Sequence, residues 1–499
     1  MQYYTKKIDK NQFKGYNIFV IILLDVIYMK KPDMLEAKKR NNKETKYTNY
    51  SDHKDNFGKG KTYFVRTYGC QMNEHDSEKL CGMLEEVGYK KNDSYEDADL
   101  VILNTCAIRE NAHDKVFGFL GVLKHLKDTT NPNMLVGLCG CMAQEEVVVS
   151  EIINKYKYVD FVFGTHNLDN MLSIIKEKIN SNKNQIEVLS YEGDVVEGIP
   201  MHRDSIYSAW VDIQYGCDKF CTYCIVPYTR GKQRSRKKED IINEVKDLKE
   251  KGYKEVTLLG QNVNAYGKDL YDDYNLSNLL EDTAKTGIDR VRFVTSHPWD
   301  FSSDMIDIIA SYDNIMPYIH LPLQSGSNKV LKLMNRRYTK EEYLKLYNEI
   351  REKVKDVSIT TDIIVGFPGE TEEDFEETLD LVNKCKFDGA FTFAFSKREN
   401  TPAALMKETV TEEEKLDRLH RLNELINKYS NESNKKLLSK KVKCLVIGQS
   451  EKDENKVCGY TENMKLVNID GPFSIIGKIV NVEITDAKSF SLDGKYIKE

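Results

Sequence analysis

The chain of 499 residues lacks any apolar run long enough to cross a bilayer. Its one candidate, Ile18-Phe19-Val20-Ile21-Ile22-Leu23-Leu24, is ended by Asp25, well short of the ~20 apolar residues that a spanning helix needs. A short, locally packed helix or strand is expected there instead. Nor does Asp25-Val26-Ile27-Tyr28-Met29-Lys30-Lys31 offer the small-residue cleavage site of a secretory leader, so a cytoplasmic protein without membrane contact is expected. An excess of positive charge is missing too: 73 Lys and Arg face 79 Asp and Glu, for a net charge of -6. Any anionic partner must therefore be met by a local basic patch, because bulk attraction is absent. Cysteine, by contrast, is plentiful. Eleven of them cluster by motif in a Lys/Glu-rich chain, which points to a reducing compartment and metal ligation rather than a disulfide framework.

The length exceeds what one hydrophobic core supports, so two to four domains are expected. An extension over residues 1–60 is expected to be partly disordered, its polar stretch 38–60 reading as a linker. An α/β unit follows over 61–180, a second over 205–432, and a small all-β unit over 437–499.

The densest chemistry is Cys217-Asp218-Lys219-Phe220-Cys221-Thr222-Tyr223-Cys224, after a strand-like run at 207–213 and a turn at Gly216. Three thiolates at this spacing suit zinc or an iron-sulfur cluster. A closed zinc site wants a fourth ligand, yet no Cys or His lies close downstream and His202 stands before the strand. A cubane held by three cysteines leaves one iron open. Iron-sulfur is therefore favoured over zinc, with unligated buried thiols as the remaining alternative.

In the first unit, residues 62–65, 100–103, 134–138 and 161–163 read as strands, and 77–87 and 116–127 carry helical period. A parallel α/β sheet follows. Cys70, Cys106 and Cys141 each fall just past a strand, and such strand ends share one edge, where these folds place ligands. The alternative is three ordinary buried thiols; Cys81 and Cys139, inside elements, read as structural. Asn73, Asn104, Arg109 and Gln144 lie near the same rim, either tying loops or orienting a ligand.

The second unit alternates strands at 208–213, 255–259, 291–294, 318–321, 357–365 and 389–395 with helical stretches such as 240–251 and 276–286. That is an open or complete β/α barrel, or a doubly wound sheet. Strand-end loops carry Gln261, Asn262, Ser296, Gln324 and Arg337 as candidate pocket residues. The glycine-rich loop 366–371 has a competing role as a tight turn, with Thr371 and Asp374 as a capping box. Phe391, Phe393 and Phe395 alternate on one strand; they are candidates to line an apolar recess near the barrel mouth, but alternating aromatics on a strand more often belong to the core. Arg230, Lys232, Arg234, Arg236 and Lys237 form the densest basic run, read either as a solvated face or as a phosphate-docking patch. In the tail, β-branched runs at 442–447, 464–467 and 475–484 predict a small antiparallel barrel. There Lys443, Lys465 and Lys478 are candidates for phosphate contact, and Cys444 and Cys458 read as structural.

The CxxxCxxC triplet resembles the signature of radical S-adenosylmethionine (SAM) enzymes. With Asp212-Ile213-Gln214-Tyr215-Gly216 before it, Ile225-Val226-Pro227-Tyr228-Thr229-Arg230-Gly231 after it, and Gly260-Gln261-Asn262-Val263-Asn264 beyond, it is similar to the methylthiotransferase branch. Tyr68-Gly69-Cys70-Gln71-Met72-Asn73, Asn104-Thr105-Cys106-Ala107-Ile108-Arg109 and Gly140-Cys141-Met142-Ala143-Gln144 resemble that branch's three amino-terminal cysteine motifs. The residues following Cys70 are similar to those of the tRNA enzymes acting on isopentenylated adenosine.

The resemblance implies a Rossmann/flavodoxin-like amino-terminal domain, an open six-unit radical SAM barrel and a carboxy-terminal TRAM barrel. It implies two 4Fe-4S clusters, a radical-generating one on Cys217, Cys221 and Cys224 with SAM at its open iron, and an auxiliary one on Cys70, Cys106 and Cys141 that carries sulfur. All six would be catalytic as well as metal-binding. The loops at 295–298, 320–327 and 366–371 would surround SAM and the acceptor base, with Gln261, Asn262, Ser296, Gln324 and Arg337 as candidate cofactor-pocket residues, and the TRAM barrel and the basic run would meet RNA. The implied reaction is methylthiolation of N6-(dimethylallyl)adenosine at tRNA position 37, with two SAM. An adenine C2–H is neither acidic nor activated, so a radical cofactor has to supply the reactivity. The implied partners are the tRNA anticodon stem-loop, an electron donor such as flavodoxin or ferredoxin, and an unidentified sulfur donor, the enzyme acting as a monomer. The alternatives are a methylthiotransferase of threonylcarbamoyl-adenosine or of a ribosomal-protein aspartate, and a non-catalytic metal-containing RNA-binding protein.

Overall fold

The structure is a computed structural model that describes residues 20–23, 26–29, 44–53, 55–107, 110–189 and 193–498. Within the leading apolar run, Val20–Leu23 pairs antiparallel with Val26–Met29; the rest of that run lies outside the described residues, as does Arg109.

Leu100–Thr105 is buried along its whole length, as a strand covered on both faces must be. Leu100 and Ile102 pack with Leu80, Met83 and Leu84 of the helix Gln71–Glu86. Val101 and Leu103 face the other way, onto Val116, Leu120 and Leu123 of the helix Glu110–Thr129. Around this strand a six-stranded sheet runs Lys90–Lys91, Thr62–Tyr68, Leu100–Thr105, Leu135–Gly140, Phe161–Phe163, Gln185–Glu187, every pair parallel. Counted from Thr62–Tyr68 the order is 2-1-3-4-5-6, flavodoxin-like, and its switch point falls between Thr62–Tyr68 and Leu100–Thr105.

Two stretches outside the expected α/β units contribute strands. Tyr47–Asn49, inside the polar stretch, pairs in parallel with Val195–Glu197. The Tyr47 hydroxyl donates to the Ser235 carbonyl at 2.9 Å and that of Tyr50 to Glu86 at 2.7 Å, so these residues are tied to both α/β units. Gln185–Glu187 adds the last strand of the first sheet. Each is three residues long, too short for a period to register.

The second unit holds two three-stranded parallel sheets, Ser208–Asp212 with Glu255–Leu259 and Arg290–Phe293, and Tyr318–His320 with Ser358–Val365 and Gly389–Ala394. A parallel bridge from Val291 to Ile315 joins them. Among the described residues Gly389–Ala394 pairs on one edge only, so the six-strand barrel is open. One large core, including Val211, Leu258, Phe293, Ile319 and Ile363, fills the space between strands and outer helices. Thr371 and Asp374 do form the reciprocal capping box, at the start of Glu372–Cys385.

The tail closes into a five-stranded barrel in the order Lys441–Gln449, Val457–Thr461, Leu466–Asp470, Leu492–Tyr496, Ile479–Ala487. Leu466–Asp470 and Leu492–Tyr496 run parallel while the other four pairs are antiparallel. It docks where the barrel strands begin. Arg290 donates to the carbonyls of Tyr460 and Lys443, and Arg292 to those of Glu462 and Thr461.

Candidate active site

Cys217, Cys221 and Cys224 sit on the loop leaving the first barrel strand. Gly216 starts it at φ +74°, and a Cβ there would collide with the Lys232 carbonyl, so glycine alone allows the loop to pass so close. Backbone bonds then pin it: Cys217 N–H to Gly231 O at 3.1 Å, Thr222 N–H to Met334 O at 3.1 Å, and Ala403 N–H to Thr222 O at 2.9 Å. The Asn335 side chain, from a residue at φ +57°, donates to Phe220 O at 3.0 Å.

Burial, then Cys221, pushes Cys224 up to about 12; burial, then Cys224, raises Cys217. The Arg336 guanidinium reaches the Cys221 sulfur at 3.5 Å and also donates to the Pro322 carbonyl at 3.0 Å. All eleven cysteines are described and none is disulfide-bonded. Among the described residues no group of three His, Cys, Asp or Glu side chains is arranged to hold a single metal ion. The donor set, three soft ligands on one short loop beside a buried guanidinium, suits an anionic inorganic cluster.

Beside this loop, three buried polar atoms have no hydrogen-bond partner among the described residues: Asn262 Oδ1, Ser296 Oγ and His297 Nε2. Burial, then Arg336, keeps His297 neutral well below the usual imidazole range. Its Nδ1 accepts from Trp299 N–H at 3.3 Å, which leaves the proton on Nε2. Burial would raise Asp300, but hydrogen bonds from Lys219, Lys268 and Asn262 outweigh it and hold that carboxyl at about 2. Lys219 lies 2.6 Å and Lys268 2.7 Å from it.

The other three candidate cysteines follow neighbouring strands of the first sheet, at its switch point. An asparagine pair ties their loops. Asn73 donates to Asn104 Oδ1 and to the Thr105 carbonyl, both at 3.2 Å, and Asn104 returns a bond to Asn73 O at 2.8 Å. Cys141 N–H donates to Thr105 O at 2.8 Å, and Cys70 caps the helix Gln71–Glu86, its sulfur 3.4 Å from Asn73 Oδ1. Cys106 and Cys141 are buried, Cys70 partly so. Gln144 instead anchors the Leu189 carbonyl at 3.0 Å.

The two cysteine sets approach each other. Ala107 and Cys141 pack with Ile225 and Tyr228, the residues just beyond Cys224. Arg230, on that same loop, crosses between the units: its Nε donates to the Cys141 sulfur at 3.3 Å and its Nη2 pairs with Asp76 at 2.6 Å. Lys79 and His75 of the first unit meet Asp212 of the second at 2.5 and 3.4 Å.

Three family descriptions match along the chain: uncharacterized protein family UPF0004 over residues 62–164, the Radical SAM superfamily over 211–382, and the TRAM domain over 438–497. The tRNA-2-methylthio-N(6)-dimethylallyladenosine synthase of Staphylococcus epidermidis is 53% identical over 473 residues, covering 94% of this chain and 92% of the relative. The synthase of the same name from Oceanobacillus iheyensis is 53% identical over 471 residues, covering 94% and 91%. The chain belongs to this synthase family. Among solved structures, the radical S-adenosylmethionine methyltransferase TsrM of Kitasatospora setae shares the fold. Its TM-score is 0.50 at 14% identity, over 69% of this chain and 75% of that one.

In this family member the basic run is not a phosphate patch as a whole. Arg230, Arg234 and Arg236 are buried: Arg230 is held by Asp76 and Cys141, Arg234 donates to the Gly193 and Arg230 carbonyls, and Arg236 pairs with Glu197 and with Glu244. A guanidinium buried among carboxylates and carbonyls of its own protein is turned away from an RNA backbone. Lys237, exposed over the Tyr47 ring, and the exposed Lys443 keep outward positions, with Lys232 half-buried. Lys465 turns inward to the Asp388 carbonyl at 3.3 Å.

The pocket candidates divide as well. Asn262 and Ser296 keep buried polar atoms without partners. Gln261 is engaged by the Gly216 N–H, so it supports the cysteine loop. Gln324, at φ +71°, bridges to the strand Ser358–Val365 through its backbone. Arg337 lies exposed over the Trp299 ring at 4.6 Å, while the adjacent Arg336 is the arginine that reaches a cysteine. The sequence reading named Arg337 and did not single out Arg336, nor His297, Asp300 and Asp76 as individual site residues. Nothing in the run Asn335-Arg336-Arg337 says which guanidinium turns inward.

Proposed function

We propose that this chain converts N6-(dimethylallyl)adenosine at tRNA position 37 to its 2-methylthio derivative. The cofactors are two 4Fe-4S clusters and SAM. One observation carries the reading: two separate cysteine sets, one on a single loop and one gathered from three strand ends, meet across a unit boundary that Arg230 bridges. A single-cluster or scaffold protein has no use for the second set.

When bound, the cofactors supply the radical, sulfur and methyl chemistry that amino acids lack. The protein's part is placement. Cys217, Cys221 and Cys224 hold the radical-generating cluster, and Cys70, Cys106 and Cys141 the auxiliary one. Asn262 Oδ1 accepts and His297 Nε2–H donates, a complementary pair for the amino and carboxylate groups of a bound SAM. Arg336 and Arg230 offset negative charge at the two sulfur sites. The fixed asparagine ladder and the pinned cysteine loop hold the two sites in a set relation to each other, which positions the reactants. Position 37 lies in a single-stranded loop, and presenting its base breaks no helix.

The partners are the tRNA anticodon stem-loop, a flavodoxin- or ferredoxin-type reductant and a sulfur donor, with the enzyme acting as a monomer in the cytoplasm. Among the described residues no helix is long and apolar enough to cross a membrane.

The test is anaerobic incubation with SAM, a reductant and either isopentenylated or unmodified tRNA, followed by nucleoside mass spectrometry. The 2-methylthio nucleoside is expected from the isopentenylated tRNA alone. Product on threonylcarbamoyl-adenosine tRNA or on a ribosomal protein would replace the substrate assignment, and absence of SAM cleavage would end the enzyme reading.

A further inference from the structure

Alternation on the last barrel strand, Gly389–Ala394, places its aromatic residues on the inner face. Thr392 bonds Asn423 of the outer helix Glu412–Lys435 at 2.5 Å, and Ala390 packs onto the core between strands and helices. Successive side chains point to opposite faces, so Phe391 and Phe393 look into the lumen. There they are 59% and 44% exposed, far from the buried core positions that alternating aromatics suggest. His320, from the strand Tyr318–His320 and likewise on the lumen side, meets Phe391 at 5.9 Å between ring centroids.

This apolar stripe continues to the cysteine loop. Phe395, next on the same side and buried, packs on Phe367 at 5.0 Å. Phe367 in turn meets Tyr223, which stands between Cys221 and Cys224, at 6.5 Å. At about 3.3 Å per residue, Phe393 lies about 7 Å and Phe391 about 13 Å from Phe395 along the strand. An adenine whose C2 faces the cysteine loop would extend its N6 branch along that stripe.

We propose that Phe391 and Phe393 form the recess that takes the dimethylallyl branch of the substrate adenine. This assignment rests on the function proposed above and names the residues that select its substrate. Two large aromatic surfaces facing solvent inside a barrel are costly to leave wet. A five-carbon apolar branch covers them without needing any polar partner. The stripe also lies beside the free edge of Gly389–Ala394, the open side of the barrel.

Fluorescence anisotropy with two anticodon stem-loop RNAs, identical except for the dimethylallyl group, reads the recess in the full chain. The unaltered protein is expected to favour the prenylated loop by about tenfold or more, because several apolar carbons leave water. Combined Phe391→Ser and Phe393→Ser should reduce that preference to about twofold with the affinity for the plain loop unchanged. Combined Phe391→Leu and Phe393→Leu should retain most of it. A serine pair that keeps the full preference overturns the recess. If the serine pair also loses the plain loop, Phe391→Leu and Phe393→Ala singly decide: a graded loss of preference supports the recess, and an unchanged preference overturns it. An unaltered protein that binds both loops equally overturns instead the substrate assignment on which the recess rests.

Discussion

The two cysteine sites reach the same ligand chemistry by opposite means. Cys217, Cys221 and Cys224 lie within eight residues on one loop, so a short segment fixed at Gly216 and Asn335 nearly suffices to shape the site. Cys70, Cys106 and Cys141 come from three separate strand ends, and their proximity depends on the whole sheet. The first site is local and the second topological. A local site tolerates distant damage, whereas a topological one depends on every contact that holds its strand ends in register, including the asparagine pair and the arginine reaching across from the other unit.

Substituting the ligands themselves gives the largest separation. Cys221→Ala is expected to lower SAM cleavage by at least about 10³-fold, measured as 5'-deoxyadenosine formed under reducing conditions. Cys106→Ala should leave that cleavage within a few-fold while removing the methylthio product. Equal loss of cleavage in both would mean that the sites are not separable. Next comes the bridge. Arg230→Gln leaves Asp76 buried without its partner, and breaking a buried pair costs about 3–5 kcal/mol. Thermal unfolding should report that loss, and iron content at the topological site should drop while the local site keeps its iron. Asn104→Ala, which removes the tie between two loops, should cost about 1–3 kcal/mol with the same selective iron loss. The smallest effects belong to the surface. Lys237→Ala should weaken tRNA binding only a few-fold and lower the salt slope by about one. Arg236→Ala, by contrast, should destabilise the fold through Glu197 and Glu244. A change confined to RNA affinity in Arg236→Ala would restore it to the docking patch.

This contrast also explains what could be read in the sequence. The strand Leu100–Thr105 was legible because burial on both faces leaves a continuous apolar run. The placement of Cys70, Cys106 and Cys141 followed from strand ends sharing a rim. Tyr47–Asn49 and Gln185–Glu187 were not legible, since three edge residues carry neither period nor strong composition. Val457–Thr461 and Leu492–Tyr496 of the tail barrel were missed because Gly459 and Gly494 interrupt the alternation. Side-chain direction was the other blind spot. A run rich in arginine reads as surface, yet Arg230, Arg234 and Arg236 turn inward because carboxylates and carbonyls from other segments wait there. Phe391 and Phe393 fail in the opposite sense: their spacing reads as core, but the open barrel leaves their face wet.

The central claim is that two distinct clusters occupy two distinct cysteine sets, and anaerobic iron and sulfide counting tests it most directly. The unaltered chain should carry about eight irons and eight sulfides, and Cys106→Ala and Cys221→Ala about four of each, from two cubanes held by three thiolates apiece. A count near four in the unaltered chain, or one that Cys106→Ala leaves unchanged, would contradict the account.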